Sequence, residues 1–292
     1  MRLFDLHCDT AYEMYKQNMD YESNVLDIAL ERARCFEEYK QVMALWCDKE
    51  LTDEECYEEF FKMRKNLLRY TKVPSDFGAY ALSVEDARLL CGKLERLDIL
   101  RDMGVRFLIP MWSGESIIGG AFDTEKGLTD FGKAAIERCF EIGIIPDISH
   151  CSAESAEDIF GIAERHGKPV IASHSCAFSV LSHPRNLRDV QFERIKALGG
   201  IVGLSFCAYH LAENREECTT EDIIRHFEHY LSLGGENMTC FGADMDGAPM
   251  PCGITGIESV MQIYEMLCKC FGREIADKLT YKNACKFVKY NL

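Results

Sequence analysis

The sequence predicts an α/β fold, a (β/α)8 TIM barrel, on three observations. Eight short apolar runs recur along the chain, amphipathic stretches of helical period separate them, and 292 residues suit such a barrel, for which ~250 is typical. The runs are Leu3–Leu6, Gln41–Trp46, Gly78–Val84, Val105–Met111, Ile144–Ile148, Pro169–Ser173, Gly200–Phe206 and Thr239–Ala243. The helical stretches between them are Asp53–Tyr70, Val84–Met103, Thr129–Ile142, Ala153–His166, Asp189–Ala197 and Thr220–Leu233. Three more, Ile257–Cys270, Arg273–Leu279 and Lys282–Tyr290, follow the last strand. No G-x-G-x-x-G follows the first run, so a doubly wound dinucleotide-binding sheet has no direct support. Without a linker, low-complexity segment or repeat, residues 1–292 read as a single domain.

Composition narrows the function classes. A net charge of −15 argues against nucleic acid or an anionic membrane as the main partner, since both need a basic footprint. The 15 cysteines are scattered without a repeated C-x-x-C, so a thiolate zinc knuckle is not expected; they read as small core residues in a reducing compartment. No apolar run reaches the ~18 residues of a membrane span. Because the first strand starts at once, without a secretory apolar region, a cytoplasmic location is expected.

In a barrel enzyme the strand C-termini face the active site, so the polar residues there are the informative ones. The first strand ends in His7-Cys8-Asp9, an imidazole and a carboxylate two residues apart and hence expected on one face. Alone, such a pair is a weak signal. The third ends at Glu85, which could bind a metal or sit at a helix N-terminus. The fifth and sixth end in Ser149-His150 and Ser173-His174, a matched pair on neighbouring strands that reads as metal ligands. The eighth ends in Asp244-Met245-Asp246-Gly247; Asp244 could be a ligand or a proton carrier, and an Asx turn before Gly247 is the bland reading. Three histidines and three carboxylates converging on one mouth would hold two divalent ions ~3.5–4 Å apart with a bridging carboxylate. His226 and His229, i,i+3 on a helical stretch, read as solvent-facing, and Trp46 as barrel packing or pocket lining.

The sequence resembles the membrane (renal) dipeptidase family of zinc dipeptidases, peptidase family M19, within the amidohydrolase-like barrel superfamily. The likeness runs from Asp5-Leu6-His7-Cys8-Asp9 (the family's D-G-H-N-D) to Tyr281-Lys282-Asn283-Ala284. Between them, Ser83-Val84-Glu85, Gly104-Val105-Arg106-Phe107-Leu108, the two Ser-His strand ends, His183-Pro184-Arg185-Asn186 and Gly242-Ala243-Asp244-Met245-Asp246-Gly247 match in order and spacing. The resemblance implies that His7 and Asp9 bind one zinc ion, His150 and His174 a second, and that Glu85 bridges them. It implies a hydroxide shared by the two ions that hydrolyses the peptide bond of dipeptides, with Asp244 managing protons and Arg185 taking the substrate carboxylate. Without the resemblance Arg185 would read as a surface arginine. It also implies a homodimer, as in archetypal members.

Two positions depart from the archetype. Trp112 stands where a histidine contacts the scissile carbonyl; its indole donates one hydrogen bond and has no acid–base capacity. After the seventh strand, Tyr209 or His210 would take the place of a substrate-contacting tyrosine. The rivals are another amidohydrolase-type enzyme (a lactonase, deaminase or phosphotriesterase) and a non-catalytic barrel. Many of the former bridge their metals with a carbamylated lysine on strand 4, and Val105–Met111 contains none.

Overall fold

The ladder strands of the described residues are all parallel, and the first pairs with both the second and the last. The computed structural model describes residues 1–70 and 79–292. Among these, seven strands form one sheet in the order β5-β4-β3-β2-β1-β7-β6. They are β1 (Arg2–Cys8), β2 (Glu38–Trp46), β3 (Ala79–Glu85), β4 (Val105–Ile109), β5 (Ile145–Pro146), β6 (Val202–Leu204) and β7 (Thr239–Phe241). The expected start of the third strand, Gly78, lies outside the described residues. β1, the second half of β2 and most of β4 are buried along their length because helices cover a parallel sheet.

The expected sixth strand, Pro169–Ser173, is not a ladder strand. It carries single parallel bridges instead, Asp147↔Ile171 towards β5 and Ala172↔Val202 towards β6. Ser173 and its neighbours press against glycines: a Cβ on Gly242 would lie 1.7 Å from the Ser173 carbonyl oxygen. Only glycine admits that approach.

Local signals set the helices. Ser152 accepts the Ser155 N–H and Gly167 ends the helix in the left-handed region, so Ala153–His166 forms as expected. Thr52 and Glu55 make a capping box before helix Asp53–Leu67. The long helix expected over 84–103 is broken. Glu85 stays in β3, Asp86 and Cys91 take positive φ, and a 3-10 turn (Ala87–Leu90) precedes helix Glu95–Asp102. That break keeps Glu85 at a strand end rather than on a helix.

Two apolar clusters hold these layers together. The larger lies between strands and helices. The smaller takes residues from β1 to β5 and β7, adds Ile171 and Ile201, and closes against Tyr281, Ala284 and Phe287 near the C-terminus.

His226 is a correction to the sequence reading: it is buried, not solvent-facing. Its Nδ1 accepts the Ala177 N–H at 2.9 Å and its Nε2 donates to the Leu211 carbonyl at 3.1 Å, a pairing that needs the neutral ring. Burial pushes its pKa down to about 4. A lowered folded-state pKa gives stability that is complete above the unfolded value of ~6.5 and lost as pH falls toward 4, up to roughly 3 kcal/mol. Urea unfolding at pH 7 and pH 5 should show the wild type losing about 2 kcal/mol more than His226→Leu over that interval. Equal losses would contradict this role.

Candidate functional site

The metal-type residues expected at the strand ends meet at one point. His7 and Glu85 lie in β1 and β3, and Asp9 caps helix Thr10–Gln17 rather than continuing the strand. The pair converges through this turn, not through strand alternation. His7 Nε2 lies 3.4 Å from Asp9 Oδ2, 3.3 Å from Glu85 Oε2 and 3.7 Å from Asp244 Oδ1. On the other side of the same carboxylate, Glu85 Oε1 is 2.9 Å from His150 Nε2 and 3.9 Å from His174 Nε2. The two oxygens of Glu85 thus face two different sets of imidazoles.

The chemistry of these atoms fits a cation. His150 Nδ1 lies 2.8 Å from the Trp112 carbonyl, which can only accept, so that nitrogen carries the proton. A neutral His150 then turns a bare Nε2 lone pair toward Glu85 and toward His174 Nε2, 2.9 Å away. Burial lowers the pKa of both rings, with Arg185 adding to it for His150 and His7 for His174. Neither ring nitrogen of His7 has a hydrogen-bond partner, although the side chain is buried. Burial opposes its charging, yet Glu85 and Asp9 lift its pKa well above the ordinary histidine value. Glu85 is buried too, and His7 and His150 hold it well below the carboxylate range. Burial, His7 notwithstanding, pushes Asp244 up to about 8, with Asp9 and Glu85 adding to it. His7, Glu85 and His174 form one group able to hold a metal ion, and His7, Asp9 and Asp244 another.

A cavity of about 340 Å³ opens onto this cluster, within the usual range for small-molecule sites. Asp9, Glu85, His150, Asp244, Arg185, Trp112, Tyr209 and His210 all line it. Arg185 is buried, not on the surface; its Nη1 has no partner in the protein and its guanidinium lies 5.7 Å from the Phe122 ring centre. Burial also drives the His210 pKa down to about 2, so the ring is neutral, while Tyr209 is largely exposed at the rim.

Several residues here escaped the sequence reading. Asp5 Oδ1 accepts the His7 N–H at 2.9 Å, and the carboxylate also accepts the Ala243 N–H, joining β1 to the strand-end segment that carries Asp244. Asp147 does the same for the two histidine segments, accepting from Ser149 N, Ser149 Oγ and Ser173 N. Asp246 accepts from Thr10 Oγ1 at 2.6 Å and from the Asp27 N–H at 2.6 Å, so it is a cross-chain anchor rather than an Asx turn. The available signal was an aspartate two residues before His7, three before His150 and two after Asp244. Trp46, read as packing or lining, lines the cavity.

A family model for membrane dipeptidase (peptidase family M19) matches residues 1–290. The chain belongs to that family. An uncharacterized dipeptidase of Schizosaccharomyces pombe is 30% identical over 203 residues, 67% of this chain and 47% of the relative. The chain therefore spans about half the length of that relative. A dipeptidase of Claviceps purpurea is 27% identical over 201 residues, 66% of this chain and 46% of the relative. The crystal structure of dipeptidase AC, a metallopeptidase, superimposes with a TM-score of 0.91 at 22% identity, covering 100% of this chain and 98% of the other. A metallopeptidase from Rhodobacter sphaeroides, liganded with a phosphinate mimic of L-Ala-D-Ala, gives 0.91 at 21% identity and covers 100% and 99%. At these identities the two superpositions establish a shared fold. Among the described residues of this family member, no helix is long and apolar enough to cross a membrane.

Gly247 tests how tightly the site is built. A Cβ there would fall 2.0 Å from Asp9 Oδ2 and 2.9 Å from Asp244 Oδ1. Gly247→Ala is expected to weaken metal binding at least tenfold while the far-UV circular dichroism stays native, as measured by zinc titration. Unchanged affinity would show that Asp9 is free to move.

Proposed function

We propose that this chain is a zinc-dependent dipeptidase with a two-metal centre bridged by Glu85. One observation carries the reading: Glu85 presents one oxygen to His7 and the other to His150 and His174, with Asp9 beside His7. His7 and Asp9 would hold one ion and His150 and His174 the other. Imidazole and carboxylate ligands suit zinc. Bound there, such ions would polarise the peptide carbonyl and make water a nucleophile near neutral pH.

The chain's own residues supply the rest. Asp244, beside His7 and facing the cavity, would be held ionised by cations bound among these carboxylates; it then takes the proton of the attacking water and delivers it to the leaving amine. Arg185 receives the substrate's terminal carboxylate, which pairs its free Nη1 and selects peptides ending one residue past the scissile bond. Trp112 contributes its carbonyl, which sets the His150 tautomer, and its indole lines the cavity; Tyr209 and His210, which line it too, contact the substrate. The bridges from Ile171 and Ala172 to both ends of the sheet support a closed eight-membered barrel, and the clusters that span it support one domain.

Chelation should abolish dipeptide hydrolysis and zinc should restore it; full activity in metal-free protein would overturn the reading. Asp244→Asn should retain two metal equivalents by elemental analysis while kcat falls at least a hundredfold. Arg185→Ala should lower kcat/KM about tenfold or more for free dipeptides and little for their C-terminal amides. An equal loss on both would remove Arg185 from carboxylate recognition.

A further inference from the structure

The cavity has two unlike ends, and the sheet order says which elements carry them. β2 is the central strand of the seven, and the segment 169–173 is bridged to both outer strands, so it lies across the mouth from β2. Arg185 belongs to the loop after that segment, anchored by the Leu187 N–H donating to the Cys176 carbonyl. Trp46 is the last residue of β2. The loop that carries Arg185 and the strand that carries Trp46 therefore stand on opposite sides of the mouth, and both side chains line the cavity.

The β2 side is an aromatic wall. The Trp46 ring centre is 5.1 Å from that of Trp112 at a 60° tilt, and 4.8 Å from that of Tyr12, edge on. All three line the cavity. Such contacts stiffen the wall, and its faces offer a flat apolar surface that rewards aromatic or bulky aliphatic groups.

We infer that Tyr12, Trp46 and Trp112 form the subsite for the side chain of the substrate's amino-terminal residue, and that they select bulky apolar side chains there. The inference rests on the dipeptidase reading for its polarity. With the carboxylate on Arg185 and the scissile bond over the cluster, the amino-terminal residue reaches across to the wall. A glycine or alanine there leaves the wall uncovered; phenylalanine or leucine fills it.

The sequence supplies its own probe, because Trp46 and Trp112 are the only two tryptophans in the chain. Fluorescence excited near 295 nm reports on this wall alone. The experiment uses the zinc-loaded Asp244→Asn protein for binding and the zinc-loaded wild type, Trp46→Ala and Trp112→Ala for turnover. Phe-Ala should change the emission saturably, and Ala-Phe should change it much less. In turnover, the kcat/KM ratio of Phe-Ala to Gly-Ala should drop about tenfold in either tryptophan variant, while the ratio of Ala-Phe to Ala-Gly moves less than threefold. A variant that merely loosens the fold would depress all four substrates alike. Equal emission changes for Phe-Ala and Ala-Phe, no change for either, or a ratio that shifts with the carboxy-terminal residue would overturn the inference. If the wild type hydrolyses no dipeptide, the dipeptidase reading falls, and the fluorescence comparison still decides the wall.

Discussion

The structure turns on one buried carboxylate. Glu85 is surrounded by three imidazoles and lies near two further carboxylates, almost wholly buried at the floor of the cavity. So many lone pairs in a low-dielectric interior repel one another unless positive charge lies among them. The surrounding backbone is organised around that demand. Asp5 and Asp147 are themselves buried acids, and each spends its hydrogen bonds on the N–H groups beside a histidine. They fix where the imidazoles point, as outer-shell partners of metal ligands do.

The strand ends were the most legible part of the sequence, because a period of two and a bounded apolar run are local signals. The polar residues at those ends stood out against them, and six of them, His7, Asp9, Glu85, His150, His174 and Asp244, meet at the cluster. What the sequence hid was non-local. Asp5 and Asp147 carry no local mark of a role, since nothing in their neighbourhood reveals the partner from another strand. Arg185 carries no local mark at all, and only the family likeness singles it out. His226 was misread because its helix is amphipathic on average, while its own position faces Ala177 and Leu211.

The elements that differed from expectation did so for identifiable reasons. The 84–103 helix broke where two non-glycine residues adopt positive φ, a backbone state that propensity does not announce. The sixth strand shrank to single bridges where Ser173 passes close to Gly203 and Gly242. In both places regularity gives way beside the site, where side chains must be aimed rather than repeated.

The seam between β1 and β7 has a consequence in time. Asp244 N–H donates to the His7 carbonyl, and Asp9 N–H donates to the Met245 carbonyl, so the two halves of this seam are joined across more than 230 residues. During synthesis His7 and Asp9 emerge long before Asp244 and Met245, and the loop between them must close before these seam hydrogen bonds form. Until then His7 and Asp9 are two unconnected side chains on an exposed strand. On the proposed two-metal reading, metal capture would therefore be a late event in the life of each molecule, and a chain cut short of β7 lacks Asp244 and the seam that fixes Asp9.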